Sequence, residues 1–264
     1  MGMERLKAKG IGFRAGSEEL SADRPTLVMI HGAGGSSEIW QNQTRLSKIP
    51  SLAGLNKSLN TLALDLPGHG ETLEKVKSDV DAYAAWVSDV LRAVCDTPPF
   101  LMGHSLGGAI VQKVALSDPD LLEGIILVDT GPRLLVAPMF LEGLQKSFDT
   151  TIDAIMGYAY AANADPRLIS EGAKLMKQAG AEVVYGDFYA ANQFDVRDQI
   201  KDIELPCLIL CGSEDKLTPP SLSRKLHEAI SGSTMEILPN AGHMAMIENH
   251  QAFNDRVLDF IRNA

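Results

Sequence analysis

Ser105 stands where a serine hydroxyl can become a nucleophile. A short apolar run, Phe100 to Met102, stops at Gly103, and a helical pattern begins again at Ala109 and Ile110. Between them the chain spells G-x-S-x-G, from Gly103 to Gly107. Strand before and helix after is the context in which this motif lifts a serine clear of a sheet. The turn forces the serine into an unfavourable backbone conformation, and a side chain at either glycine would collide across it. The helix that follows offers free N–H groups, which favour negative charge beside the hydroxyl. A glycine-rich turn with an incidental serine is the plainer account, and the flanking strand and helix argue against it.

A serine hydroxyl attacks poorly unless a base takes its proton and a third group orients that base. The chain has six histidines. His31 and His69 sit in glycine turns and read as loop braces. His104 adjoins Ser105, so its side chain should point away from the serine's. His227 and His250 fall in or beside late helices and read as exposed. His243, in Pro239-Asn-Ala-Gly-His-Met, follows the last strand and is the candidate base. For the acid, Asp215 follows the strand at 205 to 211 and is favoured. Asp129, at the end of the strand at 124 to 128, is the serious alternative, and Glu214 is the neighbour of Asp215. The chain order Ser105, Asp215, His243 is the order expected after a nucleophile elbow.

Acyl transfer also needs two N–H donors for the oxyanion. One is the amide of Leu106, directly after the serine. The other belongs to the glycine loop His31-Gly-Ala-Gly-Gly, with Ala33 first and Gly34 second. That loop lacks the G-x-G-x-x-G spacing of a dinucleotide site and the G-K-[ST] of a phosphate loop. No cluster has metal-ligand spacing, so no metal is expected.

These residues need a scaffold that brings strand ends together. Apolar β-branched runs at Thr26–Ile30, Leu59–Leu64, Gly124–Val128, Leu205–Cys211 and Thr234–Leu238 alternate with helical patterns, among them Ser78–Val94 with Ser78 as its cap. Residues 10 to 16 suggest one more short strand, and helices are expected near 40–46, 219–230 and 252–261. Such alternation predicts an α/β fold with a mostly parallel sheet covered on both faces. Residues 133 to 199 read as helices only, at about 134–147, 150–161, 166–179 and 181–192. They form a cap, or lid, inserted into a core of residues 1–132 and 200–264, over the carboxyl ends of the strands.

Composition bounds the partners. The formal net charge of −10 argues against nucleic acid, which needs clustered Lys and Arg. No apolar run is long enough to span a membrane, and the N-terminus does not read as a signal peptide. Cys95, Cys207 and Cys211 form no disulfide framework, which points to the cytoplasm. The oligomeric state is not written in the sequence.

Five segments in order, His31-Gly-Ala-Gly-Gly, Asp65-Leu-Pro-Gly-His-Gly, Gly103-His-Ser-Leu-Gly-Gly, Gly212-Ser-Glu-Asp and Gly242-His, resemble the α/β-hydrolase superfamily over nearly the whole chain. The resemblance implies a sheet of about eight strands, a helical cap between strands six and seven, and a Ser-His-Asp triad without a cofactor. Some members place the acid after strand six, which here is Asp129. Ser105 separates the chain from the superfamily's epoxide hydrolases and dehalogenases, which use aspartate there. The leading expectation is a carboxylic-ester hydrolase acting on a small molecule. The alternatives are a hydrolase of carbon–carbon bonds in diketone-type substrates and a non-catalytic small-molecule receptor. Aromatic and methionine residues in the cap suit an apolar pocket, and acidic residues outnumber basic ones there. A neutral, largely apolar ester is therefore expected.

Overall fold

The computed structural model describes residues 2–17, 19–45 and 54–264. The core elements run α1 (Gly2–Ala8), β1 (Phe13–Ala15), β2 (Thr26–Ile30), α2 (Gln41–Thr44), β3 (Asn60–Leu64), α3 (Val80–Val94), β4 (Phe100–His104), α4 (Leu106–Ser117) and β5 (Gly124–Val128). Four helices follow: α5 (Pro138–Lys146), α6 (Phe148–Ala159), α7 (Pro166–Ala179) and α8 (Ala181–Gln193). The core then resumes with β6 (Cys207–Gly212), α9 (Pro220–Ala229), β7 (Thr234–Leu238), α10 (Ala245–Glu248) and α11 (His250–Asn263).

The sheet has seven strands among the described residues, in the order β1-β3-β2-β4-β5-β6-β7. Only β1 is antiparallel, pairing Phe13 with Leu64. The resemblance implied about eight strands, so the count is one lower here. The central strands β3, β4, β5 and β6 are buried along their whole length. Parallel strands covered on both faces need such continuous apolar runs. One core cluster joins α1, α3, α4 and the end of α8 to one side of the sheet, and a second joins α11 and buried residues of α5, α6, α7 and the start of α8 to the other.

The chain places β3 on one side of β2 and β4 on the other. Strand order reverses between β2 and β4, and the crevice beyond their carboxyl ends is where open α/β sheets bind ligands. The register Ile30 with Gly103 sets the loop after β2 beside the turn after β4.

Several expectations need adjustment. Asp79, not Ser78, caps α3, accepting from the amide of Ala82 at 2.8 Å. Pro138 starts α5 four residues late, because proline fits the first helical turn and not its interior. The helix α1 was not anticipated; it is too short to show a period, yet its Leu6 is fully buried. The helix expected near 40–46 is a 3-10 turn, Ser37–Trp40, followed by α2, and its last residue, Leu46, lies outside the described residues. No helix among the described residues is long and apolar enough to cross a membrane.

Candidate active site

Ser105 sits at the apex between β4 and α4 with φ 53 and ψ −115, a backbone conformation that L-residues avoid. Hydrogen bonds hold it there. Its amide donates to the Val128 carbonyl at 2.9 Å, and its carbonyl accepts from the Thr130 hydroxyl at 2.9 Å. A Cβ on Gly103 would strike the backbone of Gly107, which is a collision across the turn. A Cβ on Gly107 would instead strike the carbonyl oxygens of Ile30 and His31. The second glycine is therefore needed so that the turn can pack on the end of β2.

Asp215 and His243 come together from the loops after β6 and β7. Asp215 Oδ2 lies 2.8 Å from His243 Nδ1, and both side chains are buried. Asp215 Oδ1 accepts the amides of Leu217 and Thr218 at 2.8 and 2.9 Å. The Thr218 hydroxyl lies 2.6 Å from Asp215 Oδ2. Burial alone would raise the Asp215 pKa; the His243 charge and these hydrogen bonds outweigh it and hold the carboxyl below its ordinary value. The imidazole is thereby fixed with its proton on Nδ1 and Nε2 free to accept. Ser105 and His243 border the same cavity. Their side chains are not hydrogen-bonded to each other, and such bonds commonly tighten when substrate binds.

Asp129 does not reach His243. Its φ is 44, and its buried carboxylate accepts the amides of Gly212 at 2.8 Å and Ala245 at 3.4 Å. Burial and the Asp215 charge push its pKa well up. Glu214 turns outward and accepts the amide of Ala162 at 3.0 Å.

Of the two loop amides considered, Gly34 N–H is taken: it donates to Asp187 Oδ2 at 2.8 Å. The amides of Ala33 and Leu106 have no acceptor among the described residues, and both residues line the cavity with Ser105.

Three contributors were missed in the sequence. His104 does not simply point away: its ring lies 4.6 Å from that of His243, and its Nε2 donates to the His243 carbonyl at 2.8 Å. Burial and the neighbouring His243 push its pKa down to about 3, so it stays neutral. Thr218 had no signal beyond its nearness to Asp215. Asp187 did have one, as a carboxylate three residues from Val184 and three from Ala190 on a helix face that is otherwise apolar.

The cavity holds about 520 Å³ and is roofed by the insertion, with Met156, Leu175, Met176 and Phe188 among its walls. That volume suits a small organic ligand. Arg133, Arg197, Lys216 and Lys225 also border it, and no acidic side chain among the described residues does. Asp195 is shared by the two arginines, at 3.5 and 2.7 Å. A charge count over residues 133–199 alone does not register this grouping, because Lys216 and Lys225 lie outside that segment.

The fold and the site together define an α/β hydrolase. Residues 27–256 match the model of the alpha/beta hydrolase family, and the chain belongs to that family. It is 26% identical over 258 residues to a pimeloyl-[acyl-carrier protein] methyl ester esterase of Pectobacterium carotovorum, covering 90% of this chain and 95% of that one. A thermophilic esterase structure superposes with a TM-score of 0.81 at 29% identity, over 96% of this chain and 93% of that one. The enol-lactonase of Burkholderia xenovorans, at 22% identity and a TM-score of 0.85 over 96% of each chain, shares the fold.

Proposed function

We propose that this protein hydrolyses a carboxylic ester through an acyl-Ser105 intermediate. The observation that carries the reading is the 2.8 Å Asp215–His243 contact, behind the wall of the cavity that His243 and Ser105 both border. His243 Nε2 takes the Ser105 proton as Oγ attacks the carbonyl carbon. The Ala33 and Leu106 amides bind the developing oxyanion. His243 then passes its proton to the departing alkoxide, later removes one from the water that attacks the acyl-enzyme, and returns that proton to Ser105 Oγ as the acyl–oxygen bond breaks and the acid leaves. Asp215 stays ionised throughout and stabilises the imidazolium. No step so written requires a metal or cofactor.

The segment 133–199 acts as a cap on the core formed by 1–132 and 200–264. Its apolar walls select a neutral, largely apolar group beside the scissile bond, and the four cations at the cavity border tolerate negative charge elsewhere on the substrate. Esterases among the similar proteins favour ester cleavage over the carbon–carbon alternative or a silent receptor. The free thiols Cys95, Cys207 and Cys211 fit a reducing, cytoplasmic setting. Turnover of short p-nitrophenyl esters, lost in Ser105→Ala, is the test; binding without turnover would favour the receptor reading.

A further inference from the structure

Asp187 lies on α8 of the cap and is fully buried. Three donors from three separate core segments converge on it. The Gly34 amide and His69 Nε2 each lie 2.8 Å from Oδ2, and the Tyr83 hydroxyl lies 2.7 Å from Oδ1. These donors come from the loop after β2, the loop after β3, and α3.

His69 faces acceptors on both sides. Its Nδ1 lies 3.1 Å from the Pro67 carbonyl while Nε2 meets Asp187. Only the imidazolium donates from both nitrogens. Burial alone would lower its pKa, but the charge and hydrogen bond of Asp187, with the Pro67 carbonyl and the Asp65 charge, outweigh that and raise it. The other group facing it is His31, whose ring lies 4.7 Å away. His31 Nε2 accepts the Leu66 amide at 3.0 Å, which leaves Nδ1–H for the Gly32 carbonyl at 2.8 Å. Burial and the neighbouring His69 push the His31 pKa down to about 4, so this ring is neutral. Asp187 is therefore a buried carboxylate with one cation beside it.

The consequence falls on Ala33. His31 holds the carbonyl of Gly32, the residue before it, and Asp187 holds the amide of Gly34, the residue after it. Gly34 has φ +62, and a Cβ there would press on Met176 and Val184 of the cap at 2.8 and 3.0 Å. We propose that Asp187 is a positioning residue of the cap: by gripping Gly34 it aims the Ala33 amide into the oxyanion hole, so the hole is complete only while the cap is seated. This rests on the reading of Ala33 and Leu106 as oxyanion donors. The cap then has a part in the chemistry as well as in admitting substrate. A group raised as His69 is contributes fully below its unfolded value of 6.5, and that contribution fades as pH rises through the higher folded value. The grip weakens towards alkaline pH.

The experiment compares wild type, Asp187→Asn and His69→Gln by ester kinetics across pH, by the rate of fluorophosphonate labelling, and by Tm. Labelling of wild type at Ser105 tests the nucleophile reading by itself; without it, that reading fails, whatever Asp187 does. Given labelling, Asp187→Asn is expected to lower kcat about 10- to 100-fold with KM within about twofold, and to slow labelling to match, because the donor is displaced rather than deleted. A lower Tm with kcat and labelling unchanged would overturn the proposal and leave Asp187 a packing residue. His69→Gln keeps a donor but no titrating group, so the alkaline decline of kcat should vanish. Should Asp187→Asn not fold, that profile alone decides: a decline that persists in His69→Gln overturns the proposal.

Discussion

Thr218 ties Asp129 to Asp215: its hydroxyl lies 2.8 Å from the Asp129 backbone carbonyl and 2.6 Å from Asp215 Oδ2. Two buried carboxylates thus sit together at the ends of neighbouring strands, and only one of them meets His243. The other is turned by its positive φ into the backbone amides of Gly212 and Ala245.

This division predicts unequal mutants. Asp215→Asn favours the wrong imidazole tautomer and should lower kcat by about 10⁴-fold. Asp129→Asn keeps one acceptor but turns a donor towards a backbone amide. It should cost about 1–3 kcal/mol of stability and leave kcat within about tenfold. Steady-state kinetics and denaturant unfolding separate the two, and the reverse ranking would move the acid to Asp129.

The Asp215 carboxyl is held below its ordinary value of 3.8 in the folded state. Its contribution to stability is present above that value and is lost as pH falls through the lower folded one. The Tm advantage of wild type over Asp215→Asn should therefore shrink below about pH 4. An advantage that grew with acidity would show that the carboxylate is not stabilised by its partners.

His104 supports His243 from beneath by one hydrogen bond and a ring contact. His104→Phe keeps the ring and removes the bond, which is worth roughly 1 kcal/mol. A loss of about fivefold to tenfold in kcat/KM is expected, with Tm lowered by a few degrees. An unchanged kcat/KM would make the contact incidental.

The apolar walls that the insertion gives the cavity predict a chain-length profile. Each methylene buried against Met156, Leu175 and Met176 contributes up to about 0.8 kcal/mol, or roughly fourfold in kcat/KM. The rise should end when the cavity fills, and Met176→Phe should end it earlier. A flat profile would place the acyl chain elsewhere.

Much of this arrangement was legible because its signals are local. Buried strands announce themselves as apolar runs, and Gly103 is required by the turn's own geometry, whereas Gly107 answers to the end of β2. What stayed hidden depends on approaches between distant segments. Asp187 meets Gly34, His69 and Tyr83 only after α8 folds back onto the loops after β2 and β3 and onto α3, and nothing near residue 187 names those partners. The cations at the cavity border come from the insertion and from two later segments, so a charge count within one segment misses them. The contact of His104 with His243 was hidden for the same reason, since that partner lies on a loop after the last strand.

The central claim is that Ser105 is an activated nucleophile. Incubation of the protein with a fluorophosphonate, followed by intact and peptide mass spectrometry, tests it most directly. One adduct is expected, on the peptide carrying Ser105, formed far more slowly in His243→Ala and absent in Ser105→Ala. Labelling that persists in Ser105→Ala, or a wild type that takes up no label, would contradict the account.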